Sequence, residues 1–191
     1  MREAEEAVRR FLDGDEEAFN QLVRLVERRV YSFAWRFLGN REDAQDATQD
    51  TFLSVYRALP ALRDPGSFPT WLYRIALNTC RARWRSRRPE ISLDHPVPGM
   101  DMDGEEPHPA LSAGKDEGRQ VEARDLICKS LMGISEAHRT AIILKEYLGL
   151  SLEEMAEVMD CPLSTAKSRL YHGLRGVQRN LRRLGVLPAE D

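Results

Sequence analysis

Residues 90–118 read EISLDHPVPGMDMDGEEPHPALSAGKDEG, and this segment limits what the rest of the chain can build. It holds four prolines, four glycines and eight acids (Glu90, Asp94, Asp101, Asp103, Glu105, Glu106, Asp116, Glu117) against one base, Lys115. Its apolar surface is too sparse, and its like charge too dense, to offset the entropy of ordering, so it reads as an extended linker. It separates residues 1–89 from residues 119–191. Neither part shows strand-like alternation of useful length or an internal repeat. The expected fold class is therefore all-α: two small helical domains joined by a flexible acidic linker.

The first part reads as a run of helices. Asp15 is placed to cap a helix whose apolar face is Phe19, Leu22, Val23, Val26, Val30, Phe33, Ala34 and Phe37. Gly39 ends it and Asn40 caps the next. That helix repeats Ala44, Ala47, Thr48, Thr51, Phe52, Val55, Tyr56 and Leu59 at three- and four-residue steps. Its other face carries Asp43, Asp46, Gln49, Asp50 and Leu53, and Pro60 closes it. After the turn-rich ALRDPGSF, Pro69 suits the first turn of PTWLYRIALNTCRARWRSRR. Phe68, Trp71, Leu72, Ile75, Ala76 and Cys80 line one side of that helix. Arg74, Asn78, Arg81 and Arg85 line another. Arg81 to Arg88 contains five arginines and no acid.

The second part ends in a basic pair of helices. One helix is expected over roughly Arg119 to Leu131, and a second from near Ser135 to Gly149. Ser151 and Glu154 then have capping-box spacing at the start of a short helix ending at Met159. Asp160-Cys161-Pro162 makes a tight turn into LSTAKSRLYHGLRG. From Cys161 to Leu184 there are six Lys or Arg and no acid, although the whole chain carries a formal charge of -3. A tight turn before a basic helix is the pattern of a helix-turn-helix, whose second helix enters the DNA major groove. Ser164, Thr165, Lys167, Ser168, Arg169, His172 and Arg175 are its outward residues. Short hydroxyls allow close approach, and Lys and Arg reach guanine acceptors or phosphates. Leu163, Ala166, Leu170 and Leu174 are expected to face inward. The acidic total is no objection, because the electrostatic footprint of DNA binding is local.

Other classes find less support. Cys80, Cys128 and Cys161 are too few and too scattered for a disulfide framework or a zinc group. The four histidines, His95, His108, His138 and His172, lack metal-ligand spacing, and no nucleophile elbow or phosphate-cradling glycine loop appears. The expectation is no enzyme, with no catalytic, metal or cofactor residues. MREAEEAVRR lacks the basic start and apolar run of a signal peptide, and no apolar run is long enough to span a membrane, so a cytoplasmic protein is expected. A stand-alone DNA-binding regulator would use the helix-turn-helix but leaves the arginine-rich helix and Leu53 without a purpose.

Five ordered stretches carry a resemblance: GDEEAFNQLV, DAQDATQDTFLSVYRAL, FPTWLYRIALNTCRARWR, ISEAHRTAIILKEYLGLSLEEMAEVM and CPLSTAKSRL. Together they resemble the extracytoplasmic-function group of sigma factors in the sigma-70 family, over most of the chain outside the linker. The resemblance implies binding to bacterial core RNA polymerase, direction to −35 and −10 promoter elements, and opening of the start-site DNA. It matches residues 1–89 to region 2 and residues 119–191 to region 4, with no room for a region 3 domain. It implies docking on the polymerase clamp through Asp46, Gln49, Asp50 and Leu53. It implies that Arg63, Asp64, Ser67, Phe68, Thr70, Arg74, Asn78, Arg81 and Arg85 hold the single-stranded −10 element. Ser164, Thr165, Lys167, Ser168, Arg169, His172 and Arg175 would read the −35 element as duplex. The linker would thread a polymerase channel, where its acids could mimic nucleic acid. An anti-sigma factor is the further partner implied. Pro65 and Pro69 depart from the pattern beside the base-reading loop, so the −10 base preference is this chain's own.

Overall fold

The computed structural model of the chain describes residues 1–87, 126–186 and 188. The linker at 90–118, and the start of the helix expected from Arg119, lie outside the described residues. Among those described, every regular element is a helix. In the first part these are α1 (Arg2–Leu12), α2 (Glu17–Leu38), α3 (Arg41–Ala58) and α4 (Phe68–Arg87). In the second, residues 126–132 form α5, followed by α6 (Glu136–Ile142), α7 (Leu152–Val158) and α8 (Leu163–Arg183).

Local chemistry sets the boundaries. Gly39 ends α2 in the left-handed conformation at φ 71°, and its N–H donates to Trp35 O. The Asn40 side chain accepts from the Asp43 N–H at 3.0 Å and starts α3. Pro60 does not stop α3 outright. The chain tightens into a 3₁₀ turn over Leu59–Ala61, where proline's missing donor costs little. Asp15, the expected cap, lies one residue outside the observed one. Glu16 is the N-cap, and the Asp15 carboxylate is shared between the Ala18 N–H and the Arg10 guanidinium. In the second part α6 widens into a π turn over Ile143–Tyr147, and Gly149 reverses the chain at φ 72°.

The core is built where α2, α3 and α4 meet. Phe33, Phe37, Leu72 and Leu77 are fully buried there, each stabilising the fold by about 2 kcal/mol or more on area alone. Burial pushes the Tyr73 hydroxyl and the Cys80 thiol up to about 12, so both are neutral at physiological pH. The apolar cluster does not stop at the end of the first part. It continues through Leu131, Ile142, Ile143, Leu144, Leu150 and Met155 of the second.

The two helical units expected from the sequence are present, and they pack against each other. Arg139 of α6 is 2% exposed and lies between the two parts. Its guanidinium donates to Phe37 O at 2.5 Å, Leu131 O at 3.1 Å and Ile134 O at 3.2 Å, with the Trp84 ring 4.8 Å away. Arg36 of α2 stacks over Tyr147 at 3.6 Å. Gly39 sits so close to Met132 that a Cβ there would lie 2.8 Å from the sulfur.

Candidate nucleic-acid and polymerase interfaces

The helix-turn-helix is built from the turn outward. Ser151 Oγ accepts from Glu154 N–H at 3.1 Å, and Glu154 Oε2 accepts from Ser151 N–H at 2.7 Å. This capping box fixes the start of α7. Asp160 takes a left-handed φ of 49°, which turns the chain sharply into Pro162 and α8. On α8, Ser164, Lys167, Ser168, His172 and Arg175 are exposed, while Thr165 and Arg169 are half-buried.

The inward face of α8 differs from the expected one. Ala166 is buried and Leu163 and Leu170 are half-buried, but Leu174 is 43% exposed. Gly173 and Gly176 face inward instead. A Cβ on Gly173 would lie 3.0 Å from His138 O, and one on Gly176 2.7 Å from Ile134 Cγ2. The two glycines let α8 approach α6 closely, and that rotates Leu174 outward.

Between these helices a cavity of about 360 Å³ is lined by Ser135, His138, His172, Arg175 and Arg179. The imidazoles of His138 and His172 are 6.2 Å apart. Burial, then His172 and Arg169, hold His138 below the ordinary histidine range. Sequence reasoning passed over Tyr171, which is 58% exposed beside these residues. Its ring meets His172 edge-on at 5.5 Å, and its hydroxyl accepts from Arg175 at 3.4 Å. An aromatic four residues from both Lys167 and Arg175 was the available signal.

The second candidate surface is the loop before α4 and the helix itself. Arg63, Asp64, Arg74, Asn78 and Arg85 are exposed. Asp64 Oδ1 accepts from Gly66 N–H at 2.9 Å, and Asp64 O accepts from the Ser67 hydroxyl at 2.8 Å. Two of the proposed strand contacts are thus employed in shaping the turn. Phe68 requires correction. It is fully buried and cannot meet DNA, because the first turn of α4 aims it into the core. Thr70 is only 6% exposed, and its hydroxyl lies 3.1 Å from Glu157 Oε1. Arg81 Nε donates to Glu136 Oε1 at 2.6 Å. Trp71 and Trp84 are both half-buried against the core.

The third surface is on α3. Asp46, Gln49 and Asp50 are exposed and Leu53 is 55% exposed. Asp43 lies at the inner edge of that face: it is 3% exposed, and its carboxylate is 3.9 Å from the Arg83 guanidinium. Tyr56, expected inside, is 48% exposed, with its ring edge-on to Phe19 at 4.9 Å. The acids are not free. Arg83 of α4 forks across them, donating to Asp46 at 2.7 Å and Asp50 at 2.8 Å. Hydrogen bonding to Asp50, and then to Asp46, holds the guanidinium above its ordinary range.

Sequence comparison places the chain in a family. The Sigma-70 region 2 profile matches residues 22–90, and the Sigma-70, region 4 profile matches residues 130–175. The chain is 34% identical to the RNA polymerase sigma-H factor of Pseudomonas aeruginosa over 185 residues, 94% of each chain. It is 31% identical to the ECF RNA polymerase sigma factor SigW of Bacillus subtilis, covering 90% of this chain and 92% of that one. The fold is that of CnrH in its complex with the cytosolic domain of CnrY, at a TM-score of 0.69 and 24% identity over 95% of this chain and 98% of that one. The sigma factor RpoE of Bartonella quintana, in complex with the anti-sigma factor NepR, aligns at a TM-score of 0.65 and 24% identity, over 86% and 96%. The chain belongs to the extracytoplasmic-function group of the sigma-70 family of RNA polymerase sigma factors.

No helix among the described residues is long and apolar enough to cross a membrane.

Proposed function

We propose a division of labour among the three surfaces. The α3 face docks on the clamp of core RNA polymerase, with Leu53 as its apolar centre and Asp46, Gln49 and Asp50 around it. Arg63, Arg74, Asn78, Arg81 and Arg85 hold the melted −10 strand, with cations on phosphates and the Asn78 amide at a base edge. Asp64, Ser67 and Thr70 shape the loop beside it. The outward side of α8, from Ser164 to Arg175 and including Tyr171, reads the −35 duplex. Residues 1–89 and 119–191 are the two functional units. The chain acts in the cytoplasm, catalyses no covalent step of its own, and needs no cofactor. An anti-sigma factor is its regulatory partner, by analogy with the complexes that CnrH and RpoE form.

The observation that supports this reading is the exposure, in one chain, of two separate cationic helix faces, on α4 and on α8. A duplex-binding regulator needs only the second. The test is run-off transcription with bacterial core RNA polymerase and fragmented genomic DNA from the same organism, followed by sequencing of the transcript starts. Discrete starts sharing two upstream motifs are expected. Absence of protein-dependent starts, with tight duplex binding by the chain alone, would favour the stand-alone regulator.

A further inference from the structure

The cavity between α6 and α8 is lined by basic side chains and no acid. Ser135 and His138 stand on one wall, and His172, Arg175 and Arg179 on the other. From Cys161 to Leu184 the chain has no acid at all, and Glu136, which follows Ser135, is held by Arg81 at 2.6 Å. Among the described residues no carboxylate pairs with Arg175 or Arg179. Arg175 donates instead to the neutral Tyr171 hydroxyl at 3.4 Å. The depressed pKa of His138, set by burial and then by His172 and Arg169, is the mark of a basic cluster without a counter-charge.

Packing elsewhere holds these groups together against their mutual repulsion. Gly173 and Gly176 bring α8 against α6, so that a Cβ at Gly176 would lie 2.7 Å from Ile134 Cγ2. Asn180 Nδ2 donates to Ser130 O at 2.9 Å and ties the same stretch of α8 to α5. The walls are therefore fixed before a ligand arrives. At about 360 Å³ the space falls at the small end of ligand pockets, about 300–1,000 Å³. An arginine fork takes two phosphate oxygens at once, and imidazole N–H groups add single bonds. A terminal phosphate has three acceptor oxygens to share among such donors. A phosphodiester within DNA has fewer, and the sugars on either side keep it from entering a concave site.

We propose that this cavity binds the terminal phosphate or pyrophosphate group of a small molecule, held by Arg175 and Arg179 with His138 and His172. Its effect on DNA rests on the −35 reading of α8. His172 and Arg175 also belong to the outward side assigned to the −35 duplex, so an occupied cavity withdraws both from DNA. By linkage, anion and duplex then weaken each other by the same factor. The level of the small anion would set the affinity for the −35 element.

The test is isothermal titration calorimetry of the full-length chain with sodium pyrophosphate at constant ionic strength. The wild-type chain is expected to bind one pyrophosphate. Arg179→Gln and His138→Gln, made separately, should each weaken that binding about five-fold or more. Arg28→Gln removes the same charge from an exposed position on α2 and should leave it unchanged. Absence of saturable binding, or an equal loss in Arg28→Gln and the two lining variants, overturns the site. A second arm measures binding of a promoter duplex, taken from the run-off starts, with and without saturating pyrophosphate. A fall in wild-type affinity that Arg179→Gln abolishes supports the shared site. One bound pyrophosphate with unchanged duplex affinity keeps the site and rejects its link to DNA. Weaker duplex binding by Arg179→Gln, in a chain that takes up no pyrophosphate, assigns the cavity to a backbone phosphate and overturns the small ligand. A chain that gives no transcript starts but still binds one pyrophosphate keeps the site and loses the promoter reading instead.

Discussion

Arg139 shows how far a single residue can escape a sequence reading. In EAHRTAI it looks like any polar helix position, yet it is the largest side chain in the fully buried set. Only the tertiary fold brings three carbonyl oxygens to it. Replacing it by Met would leave those oxygens buried against an apolar chain. Arg139→Met is expected to cost roughly 3 kcal/mol, read as a lowered urea midpoint with the slope retained. His138 makes a pH prediction. Burial, His172 and Arg169 depress its folded pKa, so the unfolded chain takes up the proton first as pH falls through the ordinary 6.5. Stability is retained above that value and declines below it. Urea midpoints at about pH 8 and about pH 5.5 should show the decline, and His138→Leu should flatten it. The capped residues Asn40 and Ser151, by contrast, were legible from type and spacing, because capping is local chemistry.

At the scale of elements, the helices were readable and some of their faces were not. Apolar periodicity located α2, α3, α4 and α8, since burying one stripe is what stabilises such helices. It misplaced Leu174 because it counts large apolar residues and overlooks glycines, which mark close approach by having nothing to pack. Gly173→Val would press branched carbons on His138 O and Ile142. It should cost about 2 kcal/mol and loosen α8 from α6, read by hydrogen exchange along α8. Tyr56 was misread for a different reason: Phe11 and Phe19 shield one of its edges and leave the rest exposed. For the basic helix, Lys167→Ala with Arg169→Ala should weaken promoter use at the −35 element while polymerase binding persists. Footprinting and pull-down with core polymerase would check the two halves of that statement.

For the whole molecule, the linker composition announced two parts, and nothing in the sequence announced that they would pack together. Long-range contacts such as Phe37 with Arg139 are set by shape and leave no periodic trace. Because the apolar cluster runs through both parts, the chain should unfold in one cooperative step. Far-ultraviolet circular dichroism and tryptophan fluorescence are expected to give coincident transitions, and two resolved transitions would show that the parts fold independently. The α3 surface holds one more consequence at this scale. Arg83 already holds one oxygen of Asp46 and one of Asp50, so an incoming cationic partner meets carboxylates that are partly engaged. In the proposed docking, a partner's guanidinium therefore competes with Arg83 for these acids, and the net gain in ion pairing is smaller than the charge of the face suggests. On that proposal, charge at this surface governs which partner fits, while the tightness of the grip falls to exposed Leu53.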